Sequence, residues 1–129
     1  MESISKVLKK HKEIVFGYLY GSVAKDQCKK DSDIDIGIFL KEDFKKDINY
    51  EIKLAMEIEE KTNLKNVEVV VLNNKNLRFV NQVLKYGKLI FSRDEKKRIA
   101  FETLMLKKYI DFKPHFIEYD KMRLKRLKI

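Results

Sequence analysis

Tyr20-Gly21-Ser22-Val23-Ala24-Lys25-Asp26-Gln27-Cys28-Lys29-Lys30-Asp31-Ser32-Asp33-Ile34-Asp35 is the stretch on which the reading of this chain turns. Just upstream, Ile14-Val15-Phe16-Gly17-Tyr18-Leu19-Tyr20 is rich in β-branched and aromatic residues and predicts a strand that stops at Gly21-Ser22. Downstream, residues 32–40 alternate, with Asp33, Asp35, Gly37 and Phe39 on one side and Ile34, Ile36, Ile38 and Leu40 on the other. That is the pattern of a half-buried second strand. Residues 23–30 read as a short helical turn and a charged loop. Gly-Ser thus ends one strand, and after ten residues Asp-X-Asp opens the next.

This spacing has a chemical meaning. Residues two apart on a strand project to the same side, roughly 6–7 Å from each other, so Asp33 and Asp35 form a pair of hard oxygen ligands. Magnesium prefers one or two carboxylates plus water and phosphate oxygens, and two such ions can clamp the attacking and leaving oxygens of a transfer reaction. The pair therefore points to phosphoryl or nucleotidyl transfer. Glu68 stands in the otherwise apolar run Val67-Glu68-Val69-Val70-Val71-Leu72, where an unpaired charge is costly to bury. It needs a partner or a wet cleft. If the strands at 32–40 and 67–72 are neighbours, Glu68 joins the pair as a third carboxylate, able to bind metal or to take the proton of an attacking hydroxyl. Gly21 lets the backbone approach a triphosphate, and Ser22 adds a hydroxyl and an N–H. Lys25 is either a point charge for a phosphate or a solvated loop lysine.

Working outward, residues 3–13 predict a first helix, and residues 47–62 an amphipathic helix with Ile48, Ile52, Ala55, Met56 and Ile58 on one stripe. A third strand is expected at 67–72, a helix at 77–86 closed by Gly87, and a short fourth strand at 89–91. A helix from Asp94 to about Asp111 and, after Pro114, a second basic helical segment complete the chain. Strands interleaved with helices imply an α+β domain whose small sheet is covered mainly on one face.

The chain has 129 residues, 44% hydrophobic and 38% charged, which fits a single domain over 1–129 with a basic helical tail. No apolar run is long enough to span a bilayer, and the start of the chain lacks a signal-peptide core, so a cytoplasmic protein without a membrane partner is expected. The single cysteine, Cys28, excludes an intramolecular disulfide and reads as a free thiol. With only His11 and His115 there is no Cys/His metal cluster, and no Gly-x-x-x-x-Gly-Lys-Ser/Thr loop marks a Walker-type ATPase. The 29 Lys and Arg against 20 Asp and Glu give a net charge of +9, which asks for an anionic partner.

Taken together, these residues resemble the DNA polymerase β-type nucleotidyltransferase superfamily, and within it the minimal, single-domain MNT type found as the antitoxin of HEPN/MNT toxin–antitoxin pairs. Gly21, Ser22, Asp33 and Asp35 meet its Gly-Ser, ten residues, Asp-X-Asp signature, and Glu68 falls on the third acid. Two departures stand out. Family members usually carry Asp at the third position, one methylene shorter, and Arg-Gly where this chain has Lys25-Asp26.

The resemblance implies a polymerase β-like fold with about four strands. It also implies an adenylyltransferase that takes ATP with magnesium, two ions in the family's manner, and moves AMP to a tyrosine hydroxyl of a HEPN ribonuclease toxin with which it forms a hetero-oligomer. Asp33, Asp35 and Glu68 would then be the catalytic and metal-binding residues, and Gly21, Ser22 and Lys25 the nucleotide-binding ones. Two other readings stand beside it. One is a weakened antitoxin that acts by binding alone, suggested by Glu68. The other is a basic nucleic-acid-binding module, suggested by charge, although Lys121, Arg123, Lys125 and Arg126 interleaved with leucines fit an amphipathic helix for a protein partner better.

Overall fold

The computed structural model describes residues 2–21 and 33–127. The expected turn and loop at 23–30 lies outside them, as do Ser22, Lys25 and Cys28. Four strands form one sheet: β1 (Ile14–Tyr20), β2 (Ile34–Leu40), β3 (Val67–Val71) and β4 (Lys88–Ser92), in the order β3-β2-β1-β4. β1 runs antiparallel to both β2 and β4, while β2 and β3 are parallel. A parallel neighbour requires a crossover, and α2 (Tyr50–Thr62) supplies it.

The alternation of β2 decides what lies on each face. Ile36, Ile38 and Leu40 join Val67, Val69 and Val71 of β3 and Leu19 of β1 in a continuous core beneath α1 (Glu2–Lys10) and α2. Ile4, Val7 and Leu8 enter from α1, and Leu54, Ala55 and Ile58 from α2. On the opposite face Phe16 stacks on Phe39 at 4.9 Å between ring centroids, and Phe101 packs on Phe39 at 4.8 Å. Val83 of α3 (Leu77–Tyr86) and Leu72 of a short 3₁₀ turn (Leu72–Asn74) complete this second, smaller cluster. The mixed four-stranded sheet is as the sequence implies, with the heavier helical cover over one face. On the lighter face α3 and α4 (Glu95–Leu127) lean on β1, and Asp33 and Glu68 remain exposed.

Two expectations are corrected. The chain after β4 is one helix of 33 residues that runs through Pro114 instead of breaking before it. A proline removes one helical N–H and crowds the preceding turn, at a cost of about 3 kcal/mol. Here both Pro114 and Ile110, whose carbonyl loses its partner, are exposed, so water can satisfy that oxygen. The stripe on α2 also differs. Leu54, Ala55 and Ile58 are buried, whereas Ile52 and Met56 are 62% and 63% exposed, and Ile48 precedes the helix at 89% exposed. At 3.6 residues per turn the three buried positions span about 100° of the helix, and Ile52 and Met56 lie outside that arc.

Polar side chains close the element ends. Asn76 accepts from the N–H of Phe79 at 2.8 Å to cap α3, and Asp94 accepts from that of Lys97 at 3.1 Å at the start of α4. Arg93 donates to the carbonyls of Lys9, His11 and Ile14, tying the end of α1 to the sheet. Asn73 extends the ladder past the end of β3: it accepts from Leu40 N at 2.9 Å and donates to Leu40 O at 2.8 Å.

Candidate active site

The parallel register sets Asp35 directly beside Glu68 on β3, and the antiparallel one sets it beside Tyr20 on β1. Paired positions on adjacent strands share a face, so the carboxyl groups of Asp35 and Glu68 and the Tyr20 ring project to the same side of the sheet. Asp33, two residues before Asp35, faces that side as well. The condition under which Glu68 meets the Asp pair, that β2 and β3 be neighbours, is satisfied. Asp35 is half-buried, while Asp33 and Glu68 are exposed.

Gly21 closes the site at the end of β1. Its φ of +82° lies in the left-handed region, and a Cβ built there would overlap Oδ2 of Asp35. Any larger residue would be strained and would push the carboxyl away. The Gly21 backbone therefore lies against Asp35 at a position that suits glycine alone.

The electrostatics show mutual repulsion. Burial raises the Asp35 carboxyl above its usual range, and the charges of Glu68 and then Asp33 raise it further. The Tyr20 hydroxyl is pushed up to about 12 by burial, then by Asp35 and Glu68. Among the described residues, the charges that act on Asp35, those of Glu68 and Asp33, are negative. Sequence reading placed Tyr20 in a strand without giving it a role; its position at the edge of the site follows only from register, and its ring is held edge-on to Phe79 at 5.9 Å.

Among the described residues no three His, Cys, Asp or Glu side chains are drawn close enough to hold a metal ion. The donors that these described residues offer, carboxylate oxygens, are nonetheless of the kind a hard divalent cation takes. By donor type, though not by spacing, Asp33, Asp35 and Glu68 suit such an ion. A concavity of about 680 Å³ lies elsewhere, between Phe39, Lys41, Lys97 and Phe101. That is four to six residues further along β2, roughly 13–20 Å from Asp35. Its lining brings no cluster of carboxylates together, and the acids mark the better candidate.

The family model described as polymerase beta, nucleotidyltransferase matches residues 2–96, which include all four strands and both acid-bearing segments. The chain belongs to this family. No curated protein sequence matches it. Among solved structures, this nucleotidyltransferase is similar to a chain of a toxin–antitoxin complex with AMP-PNP, at 20% identity and a TM-score of 0.75 over 98% of this chain and 97% of that one. It is also similar to a chain of the tri-AMPylated Shewanella oneidensis HEPN toxin in complex with MNT antitoxin, at 18% identity and a TM-score of 0.69 over the full length of both. A MntA–HepT toxin–antitoxin structure matches at 19% identity and a TM-score of 0.66, over 96% of this chain and 92% of that one. At these identities the likeness is one of fold, and it extends beyond residue 96 into α4.

Proposed function

We propose that this nucleotidyltransferase is an antitoxin-type protein adenylyltransferase, moving AMP from ATP with magnesium to a tyrosine hydroxyl of a HEPN toxin. The observation that carries the reading is the pair of mutually repelling carboxylates made by Asp35 and Glu68 in register, with Asp33 beside it and the Gly21 backbone against it. The full-length likeness to chains of toxin–antitoxin complexes, one with AMP-PNP and one with an AMPylated toxin, supports the choice of substrate and partner.

In the transfer, the acceptor oxygen forms a bond to the α-phosphorus as the bond from that phosphorus to the bridging oxygen breaks, and pyrophosphate leaves. The acceptor proton passes to a carboxylate. Glu68 is the assigned base, since it is exposed at the strand where an acceptor can arrive. A phenol with a pKa near 10 gives up that proton more readily than an aliphatic hydroxyl. A bound divalent cation would supply the positive charge that offsets both the carboxylates and the triphosphate. Asp33 and Asp35 are assigned to hold it, with Glu68. Ser22 and Lys25, which follow Gly21 in the sequence, are assigned to the triphosphate. The site belongs where ATP is abundant, in the cytoplasm, and no helix of the described residues is long and apolar enough to cross a membrane.

Radiolabelled ATP with magnesium should label a co-expressed HEPN partner, and the Asp33→Ala, Asp35→Ala double variant should abolish labelling. Label that persists in the double variant would refute the site. Growth rescue by that same variant would show that binding alone suffices.

A further inference from the structure

β3 is an edge strand, and its outer side has hydrogen-bonding capacity that the sheet does not use. Ile34 donates to the carbonyl of Asn66 and pairs with Val67, and this fixes the rest of the ladder. In a parallel pair, alternate residues bond inward, so Glu68 and Val70 address β2, whereas the N–H and C=O of Val69 and the N–H of Val71 point away from it. The side chains of Val69 and Val71 are buried in the core, so only their peptide groups face outward. Among the described residues no strand covers this edge. A groove of about 330 Å³ runs along it, lined by residues 68–71 of β3 with Lys46, Glu51, Asn74 and Lys75. Exposed strand edges are usually blunted by charge, proline or a covering element, because they template pairing with another chain.

We propose that this edge is the acceptor subsite: an extended segment of the acceptor protein adds to β3 as a fifth strand and presents its hydroxyl side chain to Glu68. The proposal rests on the transferase reading of Glu68 given above. The occupant follows from the chemistry of the groove. A peptide N–H and C=O exchanged with Val69 is the hydrogen-bond complement of one residue of an extended main chain. On the added strand, the residue opposite Glu68 has its Cβ about 4.5–5.5 Å away on the same face. A side chain there lies against the Glu68 carboxylate, with Asp35 one strand further in, so that a long side chain is needed to reach across. Groove and site are continuous through Glu68, which belongs to both. Lys46 is paired with Glu51 at 2.6 Å, and Lys75 is exposed at the end of the groove, so an acidic residue flanking the acceptor position is favoured. A second copy of this chain suits the edge poorly, because each copy carries +9.

Amide hydrogen exchange on the full chain, alone and in complex with the HEPN partner and a non-hydrolysable ATP analogue, tests this. Exchange at Val69 and Val71 should slow at least tenfold in the complex. Lys75→Glu should raise KM for the partner several-fold while leaving KM for ATP unchanged. Labelling of the partner without protection at the two amides would overturn the edge subsite and leave the transferase standing. Protection without labelling would support the subsite and overturn the transferase. Protection already present in the free chain and rising with its concentration would assign the edge to a second copy and overturn the proposal, as would a complex that fails to form.

Discussion

The carboxyl group of Asp35 sits where it is least comfortable as an anion, with burial, Glu68 and Asp33 all raising its pKa. A carboxyl whose pKa is raised on folding binds more protons in the folded chain than in the unfolded one. Its contribution to stability therefore falls as pH rises through its ordinary and then its raised value, and the whole penalty is present at pH 7. Asp35→Asn removes the charge with little change in shape. In metal-free protein at pH 7 it should raise the melting temperature by roughly 1–4 °C while abolishing transfer, and a calorimetric scan paired with the labelling assay checks both. As pH falls through the raised value of this carboxyl, the stability gain should shrink. Tyr20 carries the same repulsion in its hydroxyl, and Gly21 is confined by the Asp35 carboxyl on one side and its own φ on the other. The identity of the acids was legible in the sequence. Tyr20 was not, because a strand residue acquires a neighbour only when the partner strand and its register are known.

Among the elements, the junction of α1, β1 and α2 is held by a polar group outside the core. Tyr50, the first residue of α2, donates to Glu13 at 2.7 Å, and His11 lies 3.3 Å from Glu13 and 2.8 Å from Glu57. Burial opposes ionisation of Glu13, but the Tyr50 hydroxyl, its own backbone and His11 together outweigh it and hold the carboxyl below the usual range. For a lowered carboxyl pKa the stabilisation is complete above the unfolded value and is lost as pH falls through the folded one. Tyr50→Phe should cost about 1 kcal/mol in urea unfolding at pH 7, and the difference from the parent chain should narrow as pH falls through the lowered value of the Glu13 carboxyl. α4 teaches a related lesson. Its apolar residues Ile110, Phe112, Ile117, Tyr119, Met122 and Leu124 are all exposed, yet Arg78 of α3 reaches it through Asp120 at 2.9 Å and rests over the ring of Phe116 at 4.9 Å. A proline signal read locally predicts a break, but the helix persists because exposure removes the cost of one unsatisfied carbonyl to solvent.

Charge is unevenly spread over the whole molecule. Residues 1–92 carry 17 basic and 14 acidic side chains, whereas residues 93–129 carry 12 and 6, so the tail holds most of the +9. Such a tail attracts any polyanion, and that attraction is screened by salt. Binding to a random-sequence duplex should therefore weaken at least a hundredfold between 50 and 200 mM salt, while the complex with a protein acceptor, held also by apolar contact and main-chain pairing, should weaken far less; fluorescence anisotropy on both at matched salt checks this. The sequence by itself determined the four strands, the helices between them and their order, and the acids that need company, though not that the tail is one helix, because strand and helix periodicity and the cost of an unpaired buried charge are properties of the local chain. Only the tertiary structure decided that β3 lies parallel to β2, so that Glu68 stands beside Asp35. It also decided which side of α2 meets the sheet, and that β3 ends at an open edge. Those outcomes depend on which strands pair and in what register, and pairing is settled by contacts between residues far apart in the chain, of which local patterning holds no record.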